Sequence, residues 1–72
     1  MIPHIRELLE ARPFEPFYVV TSAAKRYRVE SRDHIGISPK GGRVFIWFDD
    51  DSSVALSALH ITAVEADAPR SA

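Results

Sequence analysis

The chain has 72 residues, no cysteine and a formal net charge of −1. This length suits one domain with a thin core and excludes a second, and the lack of cysteine excludes disulfides and thiolate metal sites. The nearly neutral charge gives no general attraction to nucleic acid or anionic lipid. No segment resembles a signal peptide or approaches the ~20 apolar residues that span a bilayer, so we expect a soluble, cytoplasmic protein with no membrane partner.

Charge is nevertheless distributed unevenly along the chain. Residues 22–43 contain six basic and two acidic side chains, which gives a local charge of +4, whereas the rest of the chain sums to −5. Whether this separation in sequence becomes a separation in space depends on how the strands fold back.

Residues 2–11 predict a short amphipathic helix. Its apolar side chains recur at the spacing of one helical face, at Ile2, Ile5, Leu8 and Leu9. Pro3 suits the first turn, and Pro13 ends the helix near residue 11 because the residue before a proline avoids the α conformation. Three turns are too short to be stable alone, so we expect the helix to dock on the sheet.

The next segments predict a connector and a first hairpin. Residues 13–17, Pro-Phe-Glu-Pro-Phe, form a stiff extended connector. Residues 18–21 and 26–31 are β-prone, with a turn at residues 22–25 between them. Arg32 and Asp33 interrupt the alternation, so residues 26–38 form either one long bent strand or two short ones.

A turn at residues 39–42 leads into the most continuously apolar run of the chain, residues 43–48, which predicts a central strand. Because successive strand residues point to opposite faces, Phe45 and Trp47 lie opposite Val44 and Ile46. We expect Trp47 to be largely buried beneath the apolar face of the helix. The alternative is that Phe45 and Trp47 form a protein-binding or self-association surface.

The remaining residues complete a small β fold. Residues 49–53 predict a polar loop, 54–56 a strand, 57–60 a single helical turn and 61–65 a closing strand. We therefore predict an α+β, mostly β, fold in one domain of residues 1–66, followed by a flexible tail at 67–72. In this fold, the N-terminal helix precedes a small five- or six-stranded antiparallel SH3-like or Sm-like barrel.

These motifs resemble a family of short uncharacterised bacterial proteins with an N-terminal helix, a Pro-Phe-x-Pro-Phe connector and a small SH3-like or Sm-like barrel. The matching segments are residues 5–6, 13–17, 29, 38–39, 42–43 and 59–65. The chain departs from the family pattern at Ala23 and Ala24, where Asp-Gly is expected, and at Ser31 and Arg32, where His-Pro is expected. A looser, topological similarity links the chain to Sm-like proteins, but their RNA-binding motifs are missing.

The first hairpin carries the strongest candidate for a binding surface. Its basic and aromatic side chains, which we call the basic group, are Lys25, Arg26, Arg28, Arg32 and Tyr27. With Tyr18 nearby, they could contact phosphates and stack on bases. The competing interpretation is a solvated strand face whose arginines pair with Glu30 or Glu15.

The sequence gives little support for a metal site or an enzyme. The adjacent carboxylates at Asp49, Asp50 and Asp51 lack the spacing of a calcium loop. The three imidazoles, at His4, His34 and His60, lie on different predicted elements and do not show zinc spacing. Serines 31, 38 and 57 cannot be distinguished from ordinary surface serines. We predict no enzyme activity, no cofactor and no metal.

The hypothesis for function is a non-catalytic binding or assembly module that self-associates, with a homodimer favoured, or binds a protein partner. We expect residues 18–21 and 61–65 to lie at an unprotected strand edge, which would invite pairing with a second copy. The alternative is a nucleic-acid-binding module that uses the basic group.

Overall fold

The computed structural model describes residues 1–66, which form one helix, six strands and two 3₁₀ turns. The elements are α1 (Ile2–Glu10), β1 (Phe17–Thr21), β2 (Arg26–Val29), β3 (Ile35–Ile37), β4 (Arg43–Trp47), β5 (Ser53–Ser57) and β6 (Ile61–Ala66). The 3₁₀ turns are Arg32–His34, before β3, and Ala58–His60, before β6. The mostly β composition agrees with the prediction, and the tail predicted at 67–72 lies outside the described residues.

Helix α1 forms where the apolar spacing predicts it. Pro3 lies in its first turn, and Ala11 after its last residue is extended, with ψ of 142°. Ile5 is fully buried, and three other apolar residues of the helix, Ile2, Leu8 and Leu9, pack against the same core. The helix is therefore held by burial of one face, as expected for a helix too short to be stable alone.

The first three-stranded sheet, here called sheet A, is antiparallel with the order β2–β1–β6. The turn at residues 22–25 joins β1 to β2 as predicted, and it holds Ala24 at φ of 62°. A left-handed conformation is unfavourable for a residue with a Cβ. The first hairpin therefore contains a strained residue in its turn.

The second sheet, sheet B, is antiparallel with the order β3–β4–β5. The 3₁₀ turn Arg32–His34 separates β2 from β3, so residues 26–38 form two short strands. The predicted turn before β4 contains Gly41 at φ of 72°, a conformation that glycine adopts without a steric cost. Ser38 supports this turn, because its hydroxyl accepts hydrogen bonds from the backbone N–H groups of Gly42 and Arg43.

The core lies between the inner faces of the two sheets and α1. Its buried apolar residues are Ile5, Phe17, Val19, Val29, Ile35, Val44, Ile46 and Ile61. They come from the helix and from five of the six strands, so the core depends on contacts between segments far apart in the sequence.

The closed barrel predicted from the strand order is not what residues 1–66 form. The two sheets are joined at Arg32–His34 and at Ala58–His60, and at both places a 3₁₀ turn interrupts the strand ladder. Each turn is capped by a serine hydroxyl that accepts a backbone N–H, Ser31 from Asp33 and Ser57 from Leu59. Backbone groups bonded within a turn are not available to a neighbouring strand, so the sheet divides at these two corners.

The prediction that Trp47 is largely buried beneath the helix is wrong. Trp47 is 41% exposed, whereas Val44 and Ile46, on the opposite face of the same strand, are fully buried. Helix α1 adds Ile5 to the core that contains Val44 and Ile46. It therefore covers the face opposite to Trp47, and within the described chain the outer face of sheet B stays exposed.

The prediction that residues 18–21 and 61–65 lie at a strand edge is only partly correct. Strand β1, which contains residues 18–21, pairs with β2 on one side and with β6 on the other, so it is the centre of sheet A. Strands β2 and β6 are the two edge strands of this sheet, so residues 61–65 do lie at an edge. Pairing of two copies through β1 is therefore excluded, because both of its edges are already bonded.

Candidate functional site

The outer face of sheet B presents two stacked aromatic rings. Phe45 and Trp47 have ring centroids 6.2 Å apart and planes inclined by 24°, and the two residues are 36% and 41% exposed. Strand register places Gly36 of β3 and Ala55 of β5 beside Phe45. These four residues are the aromatic face. It is apolar and open to solvent, as expected of a surface that binds another molecule.

Gly36 leaves room for the indole of Trp47. A Cβ atom at Gly36 would lie 3.4 Å from Cζ3 of Trp47 and 3.5 Å from its Cη2. The indole therefore lies against the backbone of β3, which gives it a support on one side and leaves its other side accessible. A ring held in this way loses little side-chain entropy when a partner covers it.

The two ends of the aromatic face differ in charge. Arg43 begins β4 and is exposed, and Lys40 lies in the preceding turn. At this basic end an open concavity of about 430 Å³ is lined by Ser38, Pro39, Lys40, Gly42 and Arg43. Its lining contains two cationic side chains and no acidic one.

The opposite end of β4 is acidic, because Asp49, Asp50 and Asp51 lie in the loop that follows it. Hydrogen bonds from the side chain and the backbone of Ser52 lower the pKa of Asp50 from its ordinary value. The aromatic face therefore has a basic end, an apolar centre and an acidic end.

Two arginines of the basic group, Arg26 and Arg28, are already paired on sheet A. Arg26 forms an ion pair with Glu65 of β6, at 2.9 Å between Nη2 and Oε1, and its guanidinium lies 4.2 Å from the ring centroid of Tyr18. Arg28 forms an ion pair with Glu30 at 3.1 Å. The outer face of sheet A therefore carries ion pairs of the kind that the competing interpretation expected, although Arg26 pairs with Glu65 and the expected partner Glu15 is in neither pair.

Arg32 lies away from these residues, at the end of the helix. Its guanidinium donates hydrogen bonds to the backbone carbonyls of Leu9 and Ala11, and it stacks 5.4 Å from the ring centroid of Phe14. Carbonyl groups at the end of a helix lack partners within the helix and favour a cation. Arg32 therefore stabilises the end of α1, and the five residues of the basic group do not form one surface.

Lys25 and Tyr27 instead line a cleft between the first hairpin and β5. This hairpin cleft has a volume of about 250 Å³, and its polar lining includes Ser22, Ser57 and His60. Ser22 belongs to the predicted turn of Lys25, but Ser57 and His60 were not predicted to lie near it. They come from the end of β5 and the second 3₁₀ turn, which no spacing in the sequence brings close to the first hairpin.

Three residues of the types found in hydrolase triads are linked by hydrogen bonds. Nδ1 of His34 is 2.8 Å from the hydroxyl of Ser31, and Nε2 is 3.0 Å from a carboxylate oxygen of Asp49. The Ser31 hydroxyl also accepts the backbone N–H of Asp33, which makes it the cap of the 3₁₀ turn. Neither the hairpin cleft nor the concavity at Lys40 includes these residues. The three residues therefore connect the 3₁₀ turn to the loop after β4.

The described chain offers few other sites. Within residues 1–66, no three side chains of histidine, aspartate or glutamate lie close enough together to hold a metal ion. No helix in the same range is both long and apolar enough to cross a membrane.

Comparison of the chain with protein-family models, with curated proteins and with solved structures finds no match. The resemblance to a family of short bacterial proteins therefore stays a prediction.

Proposed function

We propose that this protein is a non-catalytic assembly module that self-associates through the aromatic face. The observation that carries the proposal is the exposed stack of Phe45 and Trp47 on a face that neither α1 nor another strand of the described chain covers. Burial of such apolar surface is favourable, by ~25 cal/mol for each Å² removed from water. A small domain with a thin core and no cysteine gains stability from a contact of this kind.

A second copy fits this face because its charges are self-complementary. Arg43 and Asp49 lie equally far along the chain from Ile46, on opposite sides of the aromatic stack. When two copies pack face to face about a two-fold axis, with their β4 strands antiparallel, each basic end meets the acidic end of the other. The loop with Asp50 and Asp51 then approaches the partner's concavity at its basic end. Opposite charges at both ends fix the register of the contact.

We further propose that the two sheets are the halves of an SH3-like or Sm-like barrel that is opened at its two 3₁₀ corners. The N-terminal helix, the antiparallel order β2–β1–β6 and the 3₁₀ turn before β6 support this relation. The relation does not assign a ligand, because such small folds carry many different functions.

Nucleic-acid binding through the basic group is less well supported. Arg26 and Arg28 each have a carboxylate partner, and Arg32 is bonded to helix carbonyls. Contact with phosphates would first have to break these interactions. The gain from counterion release scales with the number of phosphates neutralised, so few free cations give weak binding.

Molar mass in solution tests the self-association. Light scattering over a roughly hundredfold range of concentration should show the mass rising towards that of a dimer. Trp47→Ser should shift the protein to the monomer, since it removes the larger ring of the aromatic face. Arg26→Ser is the matched control, because it changes an exposed residue on the outer face of the other sheet and should leave the mass unchanged.

Charge exchange tests the antiparallel arrangement. Arg43→Asp and Asp49→Lys should each weaken the dimer, because each places like charges together at both ends of the contact. An equimolar mixture of the two variants should dimerise again. In the mixed dimer the aspartate introduced in one copy meets the lysine introduced in the other, and the original arginine–aspartate contact is kept at the opposite end.

Two results would contradict the proposed function. One is a monomeric wild-type mass across the whole range of concentration. The other is tight binding of single-stranded RNA at about 150 mM salt that is lost in Arg26→Glu, because it would assign the function to nucleic acid.

A further inference from the structure

The hairpin cleft lies where the two sheets separate. Its walls are the first hairpin of sheet A and the end of β5 in sheet B, with His60 of the second 3₁₀ turn beside them. The cleft volume of about 250 Å³ is just below the range of typical small-molecule sites, so it suits a small ligand or one terminal group of a larger ligand.

Positive charge lines this cleft without compensation. Lys25 is its only permanently charged side chain, and no aspartate or glutamate belongs to the lining. Among residues 1–66, the ammonium group of Lys25 forms no ion pair, in contrast to its neighbour Arg26, which pairs with Glu65. An ammonium group with no carboxylate partner, beside a concave surface, favours an anion.

The polar groups around Lys25 can act as hydrogen-bond donors. Ser22 and Tyr27 contribute hydroxyl groups that make no hydrogen bond within the described chain, and His60 contributes an imidazole that is equally unbonded there. The hydroxyl of Ser57 accepts the backbone N–H of Leu59, which leaves its own hydrogen to donate. Hydroxyl, imidazole and ammonium groups can all donate to an oxyanion.

The backbone holds the walls of the cleft in place. The N–H of Ser22 donates to the carbonyl of His60 at 2.8 Å, which joins the hairpin turn to the second 3₁₀ turn. The N–H of Thr21 donates to the carbonyl of Lys25 at 2.9 Å and closes the hairpin. A ligand would therefore meet donors whose backbone positions are already fixed.

We propose that the hairpin cleft binds a small ligand through a phosphate or carboxylate group, with the Lys25 ammonium as the main contact and the surrounding hydroxyls and His60 as donors. The site is distinct from the aromatic stack, because neither Phe45 nor Trp47 lines the cleft. This proposal gives Lys25 and Tyr27 a role that does not require nucleic acid.

Titration with inorganic phosphate and, separately, with acetate tests the proposal, with chloride used to keep the ionic strength constant. Amide resonances of Ser22, Lys25 and His60 in ¹⁵N-labelled protein should shift and saturate with one of the two anions. Saturation with phosphate alone identifies a phosphoryl ligand, and saturation with acetate alone identifies a carboxylate ligand.

Substitution of Lys25 distinguishes a specific anion site from a general attraction of anions to a positively charged surface. Lys25→Gln should weaken binding at least about tenfold, since it removes a charge-assisted contact, whereas Lys40→Gln at the basic end of the aromatic face should leave it unchanged. Trp47→Ser should also retain binding, which distinguishes this site from the self-association. Shifts that do not saturate, or that are the same in wild type and Lys25→Gln, would overturn the proposal.

Discussion

The outer faces of the two sheets both carry aromatic side chains, but the surroundings of these side chains differ. On sheet A, Tyr18 is covered by the guanidinium of Arg26, which is itself paired with Glu65. On sheet B, Phe45 and Trp47 contact each other, and the small residues of the neighbouring strands lie beside them in the register. On sheet A the aromatic ring is thus covered by charged neighbours from the same sheet, whereas the apolar surface of sheet B stays exposed within the described chain.

The difference teaches that an exposed aromatic residue indicates a binding surface only when its neighbours do not cover it. The sequence around Tyr18 looked more promising for binding because it is basic, yet its charges are compensated across the strands. The sequence around Phe45 and Trp47 looked like core because it is apolar, yet only one face of that strand is buried.

The largest expected effect on stability is at the buried face of β4. Ile46→Ala should destabilise the protein by ~2–5 kcal/mol, since it opens a cavity at a fully buried position. Chemical denaturation at a concentration where the protein is monomeric measures this change. A loss below ~1 kcal/mol would contradict the assignment of Ile46 to the core.

Trp47→Ala should cost less than Ile46→Ala in the monomer, although it removes a larger side chain. With 41% of the residue exposed, we expect a loss of ~2 kcal/mol, about half the value for a buried tryptophan. Tryptophan fluorescence of the monomer should be that of a partly hydrated indole and should shift to shorter wavelength at dimeric concentrations. Fluorescence of a fully buried indole in the monomer would contradict the position on the outer face.

Glycine substitutions in the hairpin turns of the two sheets should have a smaller, stabilising effect. Ala24 in sheet A and Asp51 in sheet B have φ of 62° and 72°, respectively. Ala24→Gly should stabilise the protein by ~1 kcal/mol, because glycine adopts this conformation without the steric cost of a Cβ. Asp51→Gly should gain less, since aspartate tolerates the left-handed region better than alanine. Thermal melting of both variants at equal concentration measures which of them gains more stability. A larger gain for Asp51→Gly than for Ala24→Gly would contradict this prediction.

The charge pairing on sheet A should contribute little to stability. Glu65→Gln removes the partner of Arg26, but both side chains are about half exposed, so we expect a loss of at most ~1 kcal/mol that shrinks further at high salt. A double-mutant cycle with Arg26→Gln isolates the pair. A coupling that is large and independent of salt would show that the outer face of sheet A is more than a solvated surface.

The smallest effect concerns the acidic end of the aromatic face. Hydrogen bonds from Ser52 lower the pKa of Asp50, so any stabilisation from this group is present above the pKa of the unfolded chain and is lost as the pH falls through the lower folded value. Ser52→Ala should raise the pKa of Asp50 towards its ordinary value, as measured by a carboxyl NMR titration. An unchanged titration curve would contradict the hydrogen bonds from the Ser52 side chain.

Local patterns in the sequence were enough to predict α1, the three hairpin turns and the order of the strands along the chain. Each of these depends on neighbours within a few positions: the apolar spacing of Ile5 and Leu8, the conformational limits of Pro13, and the freedom of Gly41. The serines that cap the two 3₁₀ turns act over the same short distances. The sequence also indicated that β4 is central and that its two faces would need different partners.

Only the tertiary structure decided which face of β4 is covered, which charges pair and where the sheet divides. Trp47 and Ile46 have equally apolar sequence surroundings, and the choice between them depends on where α1 docks. The pairing of Arg26 on sheet A, the capping of α1 by Arg32 and the position of Lys25 beside the second 3₁₀ turn all join residues that are distant in sequence. Such contacts are selected by the packing of the whole core, because no local preference distinguishes a paired charge from a free one before the strands are assembled.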